Sequence, residues 1–160
     1  MALAWPPAHA APAWRHGPDG AGGFEVYFGE ADEDERIPLI AACEKPGMPI
    51  QIWYLIERGR LLHQSVNERG LRQTIENLTV TLVIDGKRFS FHDARAEPEV
   101  TYDGNEIVLL LDAHDPLFPA LANGSRLSLE IEGSVSDTLS LTGSFEPIAR
   151  LINFCRGRRP

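Results

Sequence analysis

Short runs of alternating apolar and polar residues succeed one another along this chain, separated by turn residues and never by a helix long enough to cross over a sheet. Phe24–Phe28, Ile37–Cys43, Ile50–Ile56, Thr79–Ile84, Arg88–Phe91, Glu106–Leu111, Arg126–Glu132 and Thr138–Thr142 each read as a strand. Pro46-Gly47 marks the tip of a hairpin between the second and third runs, and Asp85-Gly86 is a strong hairpin signal between the fourth and fifth. The continuous apolar stretch in Glu106–Leu111 predicts a strand at the centre of its sheet. Strands that follow strands directly pair antiparallel, which excludes a doubly wound parallel fold. About eight strands with two short helices predict a mainly β (α+β) domain, an antiparallel β-sandwich or barrel-like sheet.

Both helices lie late in the chain. Asp115 is placed to cap the first, with Pro116 in its opening turn, Leu117, Phe118, Ala120 and Leu121 on its buried side and Asn123-Gly124 ending it. The second is C-terminal and begins after Ser144, read as its cap. Phe145, Ile148, Ala149, Ile152 and Cys155 recur at helical spacing and predict its buried stripe. Between the hairpins, Leu61–Glu76 carries no clear period and reads as loop with a possible short helix.

The 160 residues and 43% apolar content suit one domain with one core. A net charge of −8 opposes attraction to phosphate backbones or anionic lipid, so nucleic acid is excluded as a partner class. No run approaches the roughly 20 apolar residues that span a bilayer as a helix. Leu3 to Ala10 ends in Ala8-His9-Ala10, the small-x-small pattern of an export-signal cleavage site, with Ala11-Pro12 beyond it; a plain Ala/Pro-rich tail is the alternative. The expected organisation is a signal remnant and disordered leader over 1–23, a β-rich domain over 24–155 and a basic tail over 156–160. Two cysteines in an exported domain favour a disulfide between Cys43 and Cys155; in a cytosolic chain the same two would be buried thiols.

Candidates for chemistry are few. Asp112-Ala113-His114-Asp115 sets carboxylates beside an imidazole at a strand end, a pattern able to serve as general base or metal ligand. Capping before Pro116 is the stronger reading of Asp115, and no H-E-x-x-H, second His pair or Cys-x-x-Cys completes a metal site. His92-Asp93 is a similar pair. Ser125, Ser134, Ser136 and Ser144 lack the nucleophile elbow of a serine hydrolase. The acidic run Glu30–Glu35 lacks the carboxylate spacing and turning glycine of a calcium loop and reads as solvated. Asn77 and Asn123 each open a glycosylation triplet. Of Trp53 and Tyr54, consecutive in a strand, one faces outward as a weak ligand-contact candidate while the other is core. Arg156, Arg158 and Arg159 suit the carbonyl end of the last helix.

Three of these features occur together: an apolar strand ending in Cys43 with a short loop to Ile50-Gln51-Ile52, the central Val80–Gly86, and Leu121–Gly124 leading through alternating strands and Leu139–Ser144 to Ile148–Cys155. In this the chain resembles the invasion-associated locus B family and the related type VI secretion accessory proteins, both periplasmic. The resemblance implies an envelope accessory domain without catalytic residues and without a cofactor. The expected function is that of an exported, periplasmic or secreted, non-enzymatic accessory or binding domain, working through an envelope protein or a cell-wall component. The alternatives are an inhibitor or modulator of an envelope hydrolase, with Glu44–Pro49 as a wedge, and an enzyme built on Asp112, His114 and Asp115.

Overall fold

In the computed structural model, residues 13–29, 38–56, 73–99 and 104–157 are described. Nine strands, β1 (Ala13–Pro18), β2 (Phe24–Gly29), β3 (Leu39–Cys43), β4 (Ile50–Ile56), β5 (Ile75–Ile84), β6 (Lys87–Glu99), β7 (Gly104–Leu111), β8 (Arg126–Ile131) and β9 (Ser134–Ser140), form one antiparallel sheet in the order β1-β2-β3-β4-β7-β6-β5-β8-β9. The sheet curls into a half-barrel, and two helices, α1 (Leu117–Asn123) and α2 (Phe145–Cys155), complete the fold. The barrel-like sheet expected from the alternation is therefore what forms, with β7 in the centre between β4 and β6.

Alternation explains which side chains are buried. Along β4, Ile50, Ile52 and Tyr54 are almost fully buried while Gln51 and Trp53 turn the other way. Leu127, Leu129 and Ile131 of β8 do the same opposite Val80, Leu82 and Ile84 of β5. Each such leucine or isoleucine contributes about 1.5–3 kcal/mol by leaving water. Helix α2 packs on β1, β2 and β3 and on α1. Its buried residues are Pro147, Ile148, Leu151 and Cys155, whereas Phe145 is 61% exposed. The stripe is rotated from the expected one: Leu151 is fully buried, while Ala149 and Ile152 are half-buried, Ile152 packing on the margin of the core. Ser144 also differs from its expected role. Its side chain caps nothing in α2; fully buried, it donates a hydrogen bond from Oγ to the Leu121 carbonyl of α1 at 2.7 Å. A buried hydroxyl needs a partner, and the open carbonyl end of a neighbouring helix supplies one.

The domain begins earlier than residue 24. Residues 13–18, expected in the leader, form β1 on β2 because Trp14 is buried, packs its ring at a tilt against Phe28 with centroids 5.3 Å apart and donates from Nε1 to the Ser140 carbonyl at 3.2 Å. That bond joins the two edge strands of the half-barrel. A single aromatic side chain thus overrides the Gly- and Pro-rich composition around it. The cleavage pattern at Ala8–Ala10, the acidic run from Glu30 and most of Leu61–Glu76 lie outside the described residues, as do Arg158 and Arg159. Arg156 reaches back to donate to the Ala113 carbonyl at 2.9 Å.

Turn chemistry sets the registers. Asp85 and Gly86 both adopt positive φ (47° and 87°), the backbone of a two-residue hairpin matched to strand twist, and glycine meets that demand at no steric cost. Asp85 does more than turn: its carboxylate accepts the amides of Ser125 at 2.7 Å and Arg126 at 3.0 Å, pinning the β5–β6 hairpin to the start of β8. These bonds, the Ser125 amide above all, hold the Asp85 carboxyl below the ordinary aspartate range. A depressed folded value means a contribution that is complete above the unfolded aspartate pKa of about 3.9 and is lost as pH falls through the folded value. Asp85→Asn is expected to lower the thermal midpoint at pH 7 and to flatten the decline in stability below about pH 4. Parallel melting curves of the two proteins from pH 7 to pH 2 check this, and curves offset equally at every pH would count against it.

Candidate functional site

Three places have the residues from which a site is built. The first is the strand end after β7. Asp112 Oδ1 accepts both the His114 amide at 2.7 Å and His114 Nδ1 at 2.9 Å, and the two side chains are 79% and 73% exposed. The Asp112 carboxyl lies below its usual range, first because of the His114 backbone bond and then its side chain. Asp115 turns away from this pair: its Oδ1 accepts the Leu117 amide at 2.8 Å, and its carbonyl accepts the Phe118 amide at 3.2 Å. With Pro116 already in the α conformation, these bonds satisfy free amides of the opening turn of α1, the work of a cap. The three residues therefore share a turn without converging on one point.

The second is the cysteine pair. Cys43 ends β3 and Cys155 ends α2; both are buried, and both are free thiols in this structure. The thiols are not at disulfide distance, but they lie near enough for Cys43 to bear on the ionisation of Cys155. Burial, and secondly Cys43, push the Cys155 thiol far above its ordinary range, so it is protonated and inert at neutral pH. Cys43 Sγ donates to the Lys45 carbonyl at 3.2 Å, and the Cys155 carbonyl accepts the Gly47 amide at 2.7 Å, so the end of α2 grips the β3–β4 turn from both cysteines. Phe24 and Phe154 stack beside them at 5.7 Å.

The third is a cavity of about 620 Å³ on the outward face of the sheet. Strand alternation sends Glu25 of β2, Ile40 and Ala42 of β3, Trp53 of β4 and Glu106 of β7 to that face, away from the buried Val26, Ala41, Ile52 and Ile107. Pairing brings them into contact: Glu25 lies opposite Ala42, and Ile40 opposite Trp53. Two turns at one end of these strands add the rim, Asp19 and Ala21 from β1–β2 and Glu44 and Lys45 from β3–β4. The first turn is locked by Asp19 Oδ1, which accepts the amides of Ala21 and Gly23 at 2.8 Å each. Gly23 is required there, since a Cβ would run into the Asp19 carboxylate and lie 2.6 Å from the Cys43 carbonyl. Burial first, and the Asp19 charge second, raise the Glu25 carboxyl above its usual range.

Trp53 is the one cavity residue read from sequence as a ligand-contact candidate, and it is the outward member of the Trp53–Tyr54 pair, Tyr54 being core; Glu44 and Lys45 belong to the turn read as a wedge. Asp112, His114, Asp115 and the two cysteines do not line it. Glu25 and Glu106 escape a reading of sequence because they come to line one cavity only once β2, β3, β4 and β7 are known to be neighbours; their alternation with apolar residues is the available signal. Among the described residues no group of three His, Cys, Asp or Glu side chains is placed to hold one metal ion, and no helix is long and apolar enough to cross a membrane.

No family model and no curated protein matches the chain. Its fold is similar to the crystal structure of invasion associated protein B from Bartonella henselae, with 13% identity over 88% of this chain and 92% of that one, at a TM-score of 0.55. A likeness at that identity is one of fold.

The capping geometry makes a separable prediction. Asp115→Ala should destabilise the domain by about 0.5–2 kcal/mol, the usual cost of losing an N-terminal cap. His114→Ala should change stability by no more than about 0.5 kcal/mol, as for other exposed positions. Urea unfolding of both variants measures the two, and a larger loss for His114→Ala would reverse the assignment of roles.

Proposed function

We propose that this protein is a non-enzymatic accessory or binding domain of the bacterial envelope, exported and acting through contacts with a protein or cell-wall component. The fold likeness to invasion associated protein B over most of both chains is the observation that carries this reading. The resemblance of Cys43, Val80–Gly86 and Ile148–Cys155 to a periplasmic family supports it, as does the small-x-small pattern at Ala8–Ala10. A walled cavity with an aromatic side chain, set on a rigid sheet face, suits a domain that works by binding. Inhibition of an envelope hydrolase is the second reading. It is favoured by the β3–β4 turn, which the Gly47–Cys155 bond holds firm while Met48 stands 39% exposed at its tip.

Export would bring the two buried thiols into an oxidising compartment. Exchange with a donor disulfide during folding, before burial makes the thiols inert, would then join Cys43 to Cys155, the donor leaving as a dithiol with the two thiol hydrogens. Closing a loop on the order of 100 residues is worth at most ~4.7 kcal/mol in the chain-entropy model.

Fractionation of cells expressing the full chain, with N-terminal sequencing and affinity capture from the envelope fraction, tests the reading. The expected results are processing near Ala11, a Cys43–Cys155 cross-link in non-reducing peptide maps with a melting temperature that drops in reductant, and a specific envelope partner. A captured hydrolase whose rate falls on binding would favour the inhibitor. Intact Met1 and two free thiols on protein confined to the cytosol would refute export.

A further inference from the structure

The outward cavity combines two kinds of surface that are seldom placed together without use. Its strand face is apolar and aromatic at Ile40, Ala42 and Trp53, and among the described residues the carboxyl groups of Asp19, Glu25, Glu44 and Glu106 line it with the ammonium of Lys45. We infer that it binds an organic cation, an alkylammonium or guanidinium head on an apolar stem. This deepens the binding-domain reading above by naming the chemistry of the ligand.

Each alternative ligand class meets a physical objection. An anion would face the carboxyl groups of Asp19, Glu25 and Glu44. A divalent metal ion needs oxygens converging at about 2–2.6 Å, and the carboxylates here do not converge as a metal group. A small hydrated cation would gain nothing from an indole ring. An organic cation uses all of the lining: its stem covers Ile40 and Ala42, its charged head lies against Trp53 as a cation–π contact, and the carboxylates neutralise it. Partial burial strengthens that neutralisation. Glu25 is half-buried on the strand face, and the nearby negative charge of Asp19 opposes its ionisation, so an arriving cation relieves a repulsion already present. The site is also pre-formed. Asp19 is fixed by two backbone amides, and the Glu44–Lys45 turn is held by the Cys43 thiol and the Cys155 carbonyl, so little ordering is required on binding.

The test is titration of the ¹⁵N-labelled full chain with cadaverine, and in parallel with a short lysine-containing peptide, read by amide and indole chemical shifts and by calorimetry. Saturable shifts at the Trp53 indole, Ala21 and Ala42 are expected, with binding weakened tenfold or more in Glu25→Gln and in Trp53→Leu while amide dispersion elsewhere is retained. Tighter binding of the peptide would assign the cation to a protein partner, and tighter binding of the diamine to a free amine; both uphold the site. Shifts that do not saturate, magnesium or glutarate binding equally well, or undiminished affinity in both variants would overturn it. If Glu25→Gln and wild type captured the same envelope partner equally, the cavity assignment would fail and the accessory-domain reading would stand. Intact cation binding by a chain confined to the cytosol would do the opposite, upholding the cavity and refuting the envelope role.

Discussion

Burial of the concave face of the sheet is the constraint on which the rest of the structure depends. A nine-stranded sheet that curls without closing presents Val26, Ala41, Ile52, Leu82, Ile107 and Leu129 to a trough, and only a second layer can keep water from it. Two helices of 7 and 11 residues supply that layer. Neither is long enough to be stable alone, so their helicity is a product of packing and not of propensity. The bond from Ser144 to the Leu121 carbonyl unites them into one unit, and α2 then spans β1 to β3. The polar group most deeply buried in the helical layer therefore fixes the geometry of its apolar contacts.

The outward face follows from the same constraint. Once alternate residues of β2, β3 and β4 are committed inward, the remaining ones must lie on the other side, and there they are larger and more apolar than a solvated face requires. Tyr27, Ile40 and Trp53 sit in one cross-strand row. The two turns that rise beside this row are positioned by the core, since Cys43 faces the trough while its successors Glu44 and Lys45 face the cavity. Interior packing and exterior shape are thus linked through a single strand end.

Most of this architecture is legible in sequence, and for reasons that can be named. Alternation identifies β2, β4, β5 and β8, and the Asp85-Gly86 and Pro46-Gly47 turns fix two hairpins because positive φ is a local demand that few residues meet. What stays hidden is non-local. Glycine and proline mask β1, and only the partners of Trp14, 126 residues away in the case of Ser140, make it a strand. The buried face of α2 differs from the expected one because a helix with apolar residues at Phe145, Ile148, Ala149, Leu151 and Ile152 offers two overlapping stripes, and the sheet chooses between them. For the cavity, Trp53 is visible but its acidic neighbours are not, because the β4–β7 adjacency spans an intervening hairpin that sequence alone does not place.

The contact between Trp14 and Ser140 also has a meaning for how the chain comes into being. Synthesis is vectorial: β1 can pair with β2 and Trp14 can meet Phe28 early, but the indole N–H has no Ser140 carbonyl to meet, and the trough no α2 to cover it, until β9 and α2 have emerged. Contacts of such long sequence separation slow folding and postpone the final collapse until α2 has emerged. Until then the apolar residues of the trough lack their cover, and a chain with that much apolar surface open to water is a natural substrate for chaperones.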